Sequence, residues 1–309
     1  MRATIVFLLR ATISLALLFA VAATVDTTGV RGLLAQASIP WLALAMVILL
    51  LQVLVASGRW QRLIEKLAAR RYRLGQLAAW MGVASMFGQI LPSTVGGDVF
   101  RLALLGREQG LAMALRTILA DRILGLTALG ITAFVGAVSA YLTGLRSSLL
   151  TVLLTLGLVA GCAGFLLPVL VPVFRWLPWR FSVLQCVAED FRQCMRGGDG
   201  VWFAAVSIVI HILSVAAMLT IAVSLNLEIP FRWQFCAVVP GVLLISAIPV
   251  SVGGWGVREG ALVVALDLIG MPKAGVFVLS VLFGLTTVMA SALCSTLWPF
   301  FRRGREQIG

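Results

Sequence analysis

The chain has 309 residues, of which 61% are hydrophobic and 12% charged, and its formal net charge is +12. Soluble globular proteins are about half apolar and about a quarter charged, and disordered chains are far less hydrophobic, so this composition excludes both classes. A soluble domain of this size could not bury so much apolar surface in one core. We therefore predict an all-α polytopic membrane protein.

Six apolar stretches are long enough to span a bilayer, which requires about 20 residues in a helix. In chain order they cover residues 3–25, 39–57, 112–140, 149–173, 201–224 and 276–300. The first stretch follows a basic start and ends in small residues, as a cleavable signal peptide does. Because Arg10 interrupts it and the hydrophobicity continues on both sides, we predict a retained first helix.

Two further apolar stretches, 77–106 and 233–270, do not have the pattern of single helices. Each is interrupted near its middle by a proline, a pair of glycines and charged residues. Broken backbone is tolerated at membrane depth only where it is buried in protein or lines a wet cavity. Both stretches are therefore predicted to contain a break inside the membrane domain.

Lysine and arginine residues are concentrated in alternate connections between the predicted spans. Six lie between residues 58 and 76, four between 174 and 200, and three between 301 and 309. The opposite side carries only Arg31, Arg146, Arg232 and Lys273. The positive-inside rule then predicts that both termini are cytoplasmic. Since the basic residues follow the topology and no loop could form a basic soluble face, nucleic acid is not expected as a partner.

This orientation makes each broken stretch return to the side on which it starts. We therefore predict six full spans and two re-entrant helical hairpins that enter from opposite sides, within a single membrane domain of residues 1–309. Residues 39–140 and 201–300 become two copies of span, hairpin and span in inverted topology. Inverted repeats with discontinuous helices are a recurrent plan of transporters.

The two hairpins share a motif that repeats after 157 residues. Its members are Pro92, Gly96, Gly97 and Arg101 in the first copy and Pro249, Gly253, Gly254 and Arg258 in the second. Proline ends a half-helix, glycine permits close approach, and the next half-helix begins with unpaired N–H groups at its positive end. With an arginine about one turn further, each copy is a candidate anion site, and phosphate is the expected anion.

A structural alternative remains open for the same residues. The motif could simply form a tight turn, with Asp98 capping the following helix and pairing with Arg101 three residues later. Asp121 and Arg122 lie roughly 14 Å inside their predicted span. We expect them to face the bundle interior, where they could pair with the hairpin charges or form an ion pair that holds helices together.

Other polar residues allow more limited predictions. Glu259 directly follows Arg258, so on a helix their side chains are predicted to point about 100° apart and not to face each other. Residues 59–74 could lie as an amphipathic segment on the inner leaflet or form a solvated loop. His211 could relay protons, although a lone histidine is more often hydrogen-bonded in packing.

The sequence contains no recognisable catalytic or metal-binding set. Its five cysteines have no CxxC spacing, and a single histidine cannot supply a His/Cys cluster. No catalytic triad, P-loop or dinucleotide-binding motif is recognisable. We expect neither a metal nor a cofactor, and an enzymatic activity is not predicted.

The motif residues resemble the lysylphosphatidylglycerol synthase transmembrane, flippase-like domain family, over roughly residues 10–300. The resemblance implies a bacterial or archaeal inner-membrane protein that handles lipids and, as in the best-understood members, moves an aminoacylated phospholipid between leaflets. It carries over to Pro92, Gly96, Gly97, Asp98, Arg101, Asp121, Arg122, Pro249, Gly253, Gly254, Gly256, Arg258 and Glu259. Bifunctional members add a soluble synthase domain, which this sequence does not contain, so aminoacyl transfer is not expected.

The leading hypothesis is a flippase-like protein that binds an anionic lipid or lipid-linked precursor between the hairpins. Arg101 and Arg258 would contact phosphate, the glycines would admit it, and the acids Asp98, Glu259 and Asp121 would balance charge in the empty state. A non-transporting partner that presents lipid to a biosynthetic enzyme is an alternative. A membrane-embedded lipid or glycosyl transferase that uses Asp98 or Glu259 is another.

Overall fold

The computed structural model describes residues 2–24, 27–90, 96–170, 182–230 and 232–298. Within these ranges the chain forms twelve α-helices and no β-strand. The helices are α1 Arg2–Ala23, α2 Thr27–Ala35, α3 Ile39–Ala68, α4 Leu74–Ile90, α5 Gly96–Gln109, α6 Leu111–Leu142, α7 Ser148–Leu170, α8 Ser182–Cys194, α9 Gly197–Ser224, α10 Arg232–Ser246, α11 Val257–Asp267 and α12 Lys273–Ser295. Pro92 and the basic residues 301–309 lie outside the described residues, and the basic loop 174–200, the interrupted stretch 77–106 and the predicted spans 3–25, 149–173 and 276–300 lie partly outside them.

Four helices, α3, α6, α9 and α12, are long and apolar enough to cross a membrane. The predicted spans 3–25 and 149–173 correspond to α1 and α7, whose described apolar parts, Leu8–Ala23 and Ser148–Gly164, are shorter. The predicted all-α, multi-pass membrane protein is therefore confirmed. The count of six spans stays a prediction.

Helix α3 continues well beyond the predicted end of its span. Trp60, Leu63 and Ile64 follow the apolar segment and are fully buried, because their spacing gives one turn of helix a single apolar face. On another face, Arg62 and Lys66 form ion pairs with Asp199 of α9. Residues 59–68 are thus a packed helix end and not a solvated loop, and the placement of the segment 59–74 on the inner leaflet stays a prediction.

Each interrupted stretch forms two packed helices, and the start of the first helix lies beside the end of the second. In the first, Gln109 Nε2 at the end of α5 donates a 3.0 Å hydrogen bond to the Tyr72 hydroxyl just before α4. In the second, a side chain added at Gly270, after α11, would meet the Pro230 ring just before α10. The chain therefore returns to its starting point in both stretches, as a helical hairpin does.

Small residues let the hairpins pack closely against long helices. Helix α4 packs against α12 with Gly82 beside the Ser291 backbone, and α10 packs against α6 with Ala237 beside Gly136. Helices α3 and α9 pack against each other, and each of them also contacts α6 and α12. Close approach at glycine is the usual way in which membrane helices gain packing energy.

Helix α7 packs along α6 through glycines of both helices. Gly157 and Gly161 of α7 lie against the backbone of α6 near Gly130 and Phe134. The spacing GxxxG in α7 predicts this kind of contact, and the structure confirms it.

The inner ends of the two hairpins meet inside the bundle. Gly253, in the turn between α10 and α11, has a φ of +57° and lies against the backbone of Gln89 in the last turn of α4. A Cβ at this position would collide with Gln89, and its backbone angle is one that glycine adopts most readily. The meeting point of the hairpins is where the charged residues gather.

Candidate anion-binding cavity

A cavity of about 350 Å³ lies where the two hairpins meet α3, α6 and α12. The first hairpin contributes residues from both of its helices, and the second contributes the end of α10 and its turn. The described lining residues are Ala56, Arg59, Met81, Ala84, Ser85, Gly88, Gln89, Gly97, Asp98, Arg101, Asp121, Arg122, Ser246, Gly253 and Thr287. The structure thus brings together charges that lie far apart in the sequence.

Arg101 joins the first hairpin to the long helix α6. Its Nη2 donates a 3.0 Å hydrogen bond to Asp121 Oδ2, and its Nη1 donates a 3.2 Å hydrogen bond to Asp98 Oδ1. The guanidinium also lies over the Trp60 ring, with Cζ 4.0 Å from the ring centroid. Arg101 is only 3% exposed, so these partners stabilise a charge that would be costly to bury alone.

Arg59 belongs to the same network, although the sequence pattern assigned it to a basic loop. Its Nε donates a 2.9 Å hydrogen bond to Asp121 Oδ1, and its Nη1 donates one of 2.9 Å to Ser207 of α9. Asp121 therefore lies between two arginines from different helices. The signal that could have identified Arg59 is its position directly after the small residues Ser57 and Gly58, at the end of an apolar run.

Arg122 completes the network on its more exposed side. Its Nε donates a 2.6 Å hydrogen bond to Asp98 Oδ2, while 42% of its side chain stays exposed. The prediction that Asp121 and Arg122 pair with the hairpin charges is confirmed by their contacts with Arg101 and Asp98. The alternative pairing of Asp98 with Arg101 is confirmed as well. The pairing within the hairpin and the pairing with α6 therefore occur in one network.

The charges of the cavity do not cancel among its described lining residues. Three arginines and two aspartates line it, which leaves one net positive charge. Two buried polar atoms at the cavity, Arg101 Nε and Gln89 Oε1, have no hydrogen-bond partner within the described part of the chain. Buried polar atoms are almost always hydrogen-bonded, so these two atoms are exceptions among the described residues of the cavity.

The second hairpin carries a different arrangement of the same residue types. Arg258 Nη2 donates a 2.7 Å hydrogen bond to Glu259 Oε1, and Ser280 Oγ of α12 donates one of 2.8 Å to the same oxygen. The other oxygen, Oε2, accepts the Gly256 N–H at 2.5 Å. Through this hydrogen bond the Glu259 side chain caps the start of α11, and it also pairs with its neighbour Arg258. Glu259 is completely buried.

The prediction that Arg258 and Glu259 do not face each other was wrong. Consecutive residues diverge along a regular helix, but these two stand in the first turn of α11, where the long side chains bend to a shared point beside Ser280. Gly284 of α12 leaves room there for the Arg258 guanidinium and the Trp255 ring. Arg258 does not appear among the described residues that line the cavity.

The glycines of the motif have separate positions. Gly96 is the first residue of α5, and a Cβ on Gly97 would lie against the Ala84 carbonyl oxygen of α4. Gly254 has a φ of +82° and faces Ser246. Gly97 and Gly253 line the cavity directly, one from each hairpin.

Other polar residues of the bundle serve packing contacts away from the cavity. Arg116 forms a two-hydrogen-bond pair with Asp190 of α8, at 2.7 and 2.5 Å. His211 Nε2 lies 2.9 Å from the Gly125 carbonyl oxygen, which is the packing role expected for a lone histidine. The described residues hold no group of three or more His, Cys, Asp or Glu side chains that could bind a metal.

The family model described as "Lysylphosphatidylglycerol synthase TM region" matches residues 7–294, which is nearly the whole chain. No curated protein matches this chain, and no solved structure does.

Proposed function

The chain belongs to the lysylphosphatidylglycerol synthase TM region family, and from this premise we propose that it binds an anionic lipid by its head group and moves it between leaflets. The observation that carries the proposal is the net positive cavity between the hairpins, lined by Arg59, Arg101 and Arg122. Phosphate is the anionic group common to phospholipids and lipid-linked precursors, and guanidinium groups bind it with paired hydrogen bonds.

The hydrogen bonds of Asp98 offer an incoming anion a way to bind, because the anion can replace Asp98 as the acceptor. Asp98 bridges Arg101 and Arg122 at the wall of the cavity. A phosphate oxygen offers the same kind of acceptor as the Asp98 carboxylate, so an incoming head group would take over one or both arginines. Asp121 would keep Arg101 oriented through its own hydrogen bond during this exchange.

The arrangement of the helices supports movement between two sides. We propose that the hairpins of α4–α5 and α10–α11 are re-entrant and belong to inverted repeats, because each returns to its starting point and each packs against the long helix of the other half. Inverted repeats that meet at a central site suit alternating access. In this scheme the protein lies in a bacterial cytoplasmic membrane with both termini on the cytoplasmic side.

The two arginines of the motif receive different roles in this proposal. Arg101 contacts the head group directly, together with Arg59 and Arg122. Arg258 donates to Glu259 and Ser280, and we propose that it keeps the turn of the second hairpin in place while Gly253 borders the cavity. Phosphate contact by Arg258 stays a prediction for any state in which that pair opens.

Transport by the purified protein tests the proposal. Proteoliposomes of phosphatidylcholine with a trace of fluorescent phosphatidylglycerol are treated with dithionite, which bleaches only the outer leaflet. We expect the wild-type protein to make the inner pool accessible, and Arg101→Gln to slow this at least tenfold. Arg116→Gln is the matched control, because it breaks an arginine–aspartate pair away from the cavity and is expected to keep the wild-type rate.

Each outcome has a distinct meaning. If the Arg101→Gln protein transports at the wild-type rate, the charged cavity is not the site that binds the head group. A wild-type protein that retains phosphatidylglycerol through purification but moves none would favour the alternative of a partner that presents lipid to a biosynthetic enzyme.

A further inference from the structure

A second cavity lies next to the charged one and has the opposite character. It has a volume of about 400 Å³ and is lined by α6, α7 and the end of α10 with its following turn. Its walls are apolar and include Leu126, Leu156, Val159 and Ile248. The hydroxyl of Thr127, which also lines it, donates a 2.7 Å hydrogen bond to the Ile123 carbonyl and so offers little polarity to the interior.

The two cavities adjoin at two points of the chain. On α6, Arg122 lines the charged cavity and Leu126 lines the apolar one. Residues four apart lie on one helix face, about one turn from each other. At the end of α10, Ser246 lines the charged cavity and its neighbour Ala247 lines the apolar one.

The apolar cavity is open toward the outside of the bundle. Leu126 is 42% exposed, Val159 60% and Ile248 43%, so its rim is at the surface that surrounding lipid would cover. At about 30 Å³ for a water-sized group, its volume of about 400 Å³ accommodates roughly a dozen such groups. This volume suits the inner part of one hydrocarbon chain.

We propose that this apolar groove, between α6, α7 and the end of α10, holds one hydrocarbon chain of the lipid whose phosphate occupies the charged cavity. The inference rests on the proposed function and deepens it, because it makes the ligand a complete amphiphile and not a free anion. Arg122 and Leu126 then mark the boundary between head group and chain. A soluble phosphate compound would fill only the charged cavity and bind more weakly.

Photocrosslinking in the wild-type protein locates the chain directly. The protein is placed in phosphatidylcholine nanodiscs that contain a phosphatidylglycerol with a diazirine midway along one acyl chain, and the crosslinked peptides are identified by mass spectrometry. We expect crosslinks to concentrate at residues 156–163 and 244–248, and dihexanoyl phosphatidylglycerol to compete much less well than the long-chain lipid. Crosslinks spread evenly over the exposed faces of α3 and α12 would overturn the inference.

Filling the groove provides an independent test. Ala163→Phe places an aromatic ring in the groove, and Ala43→Phe makes the same change at an exposed position of α3 that lines neither cavity. We expect Ala163→Phe to lower phosphatidylglycerol retention, measured by native mass spectrometry, about tenfold, and Ala43→Phe to leave it unchanged. Equal retention by both variants would overturn the inference that the groove holds a hydrocarbon chain.

Arg101→Gln separates this inference from the proposed function. If Arg101→Gln lowers retention while Ala163→Phe does not, the head-group site stands and the chain site is wrong. If the wild-type protein retains no phosphatidylglycerol, or Arg101→Gln retains it fully, the proposed function itself fails.

Discussion

Arg101 on α5 and Asp121 on α6 share a 3.0 Å hydrogen bond in a place where both side chains are almost fully buried. The bond links the first hairpin to the helix that follows it. Because Asp121 also accepts from Arg59 of α3, one carboxylate connects three helices at the wall of the charged cavity. The residues proposed to bind a ligand therefore also hold the bundle together.

The charge of Asp121 is expected to be essential for stability. Asp121→Asn would leave Arg59 and Arg101 buried with less compensation, and breaking a buried ion pair in this way costs about 3–5 kcal/mol. We expect a clear fall in the unfolding temperature of the purified protein in detergent, measured by intrinsic fluorescence.

Asp267→Asn is the matched control for this change. Asp267 pairs with Lys273 at 3.4 Å, and both side chains are about half exposed, so the same substitution should cost less than about 1 kcal/mol. Equal unfolding temperatures of the two variants would contradict the connecting role of Asp121.

Close contact between the two helices of the first hairpin makes Gly97 sensitive to substitution. The Cβ of Gly97→Ala would press on the Ala84 carbonyl, and overpacking of this kind costs about 1–3 kcal/mol. Gly32→Ala on α2 has no heavy atom within 4 Å of the added carbon, and alanine is the better helix former. Unfolding temperatures should fall for the first variant and hold or rise for the second.

The helical membrane architecture and the breaks in two stretches follow from sequence, because composition, span length and the proline–glycine motif act locally. The gathering of Arg101, Asp121, Arg122 and Asp98 was also foreseeable, since charges inside apolar segments must find partners. The position of Arg59 in this network was not foreseeable. A basic residue just after a span has the same sequence pattern whether its side chain faces the cytoplasm or the interior of the bundle.

The second copy of the motif shows the other limit of sequence reasoning. Arg101 and Arg258 occupy equal positions in the repeat, yet the acid that follows Arg258 directly and the hydroxyl of Ser280 on α12 decide where its guanidinium points. The contact with Ser280 depends on a residue of another helix, 22 positions away in the sequence. A repeat of residues predicts a repeat of backbone more securely than a repeat of function.

Thiol labelling tests the orientation of the chain. Arg71→Cys and Ser148→Cys each introduce an exposed cysteine, in connections that are predicted to lie on the cytoplasmic and the outer side respectively. In right-side-out vesicles, an impermeant maleimide should label Ser148→Cys and spare Arg71→Cys. The reverse pattern would contradict the orientation and, with it, the side from which each hairpin enters.

The native Cys194 should not interfere with this labelling. Burial raises the pKa of its thiol to about 12, and only the thiolate reacts with maleimide. The thiolate fraction is therefore very small at pH 7. It increases about tenfold for each unit by which the pH rises toward the pKa. The exposed Cys162 and Cys236 are replaced by alanine in the background used for this experiment.

Asp98 provides the prediction that best separates a ligand site from a purely structural network. Its carboxylate accepts hydrogen bonds from Arg101 and Arg122, and it would compete with phosphate for both. Asp98→Asn removes that negative charge from the lining, so an anionic head group should be held more tightly, by about tenfold, the equivalent of about 1.4 kcal/mol. The measurement is retention of phosphatidylglycerol by the purified protein at low and high salt, with the gain shrinking as salt rises.

A structural role alone predicts the opposite sign. If Asp98 only held Arg101 and Arg122 in place, its loss would loosen the cavity and lower retention, as Arg101→Gln is expected to do. Arg116→Gln, which disturbs an ion pair outside the cavity, should change retention in neither direction. A gain for Asp98→Asn together with a loss for Arg101→Gln therefore requires that the cavity binds an anion, because no loss of packing makes two partners in one hydrogen bond act in opposite directions.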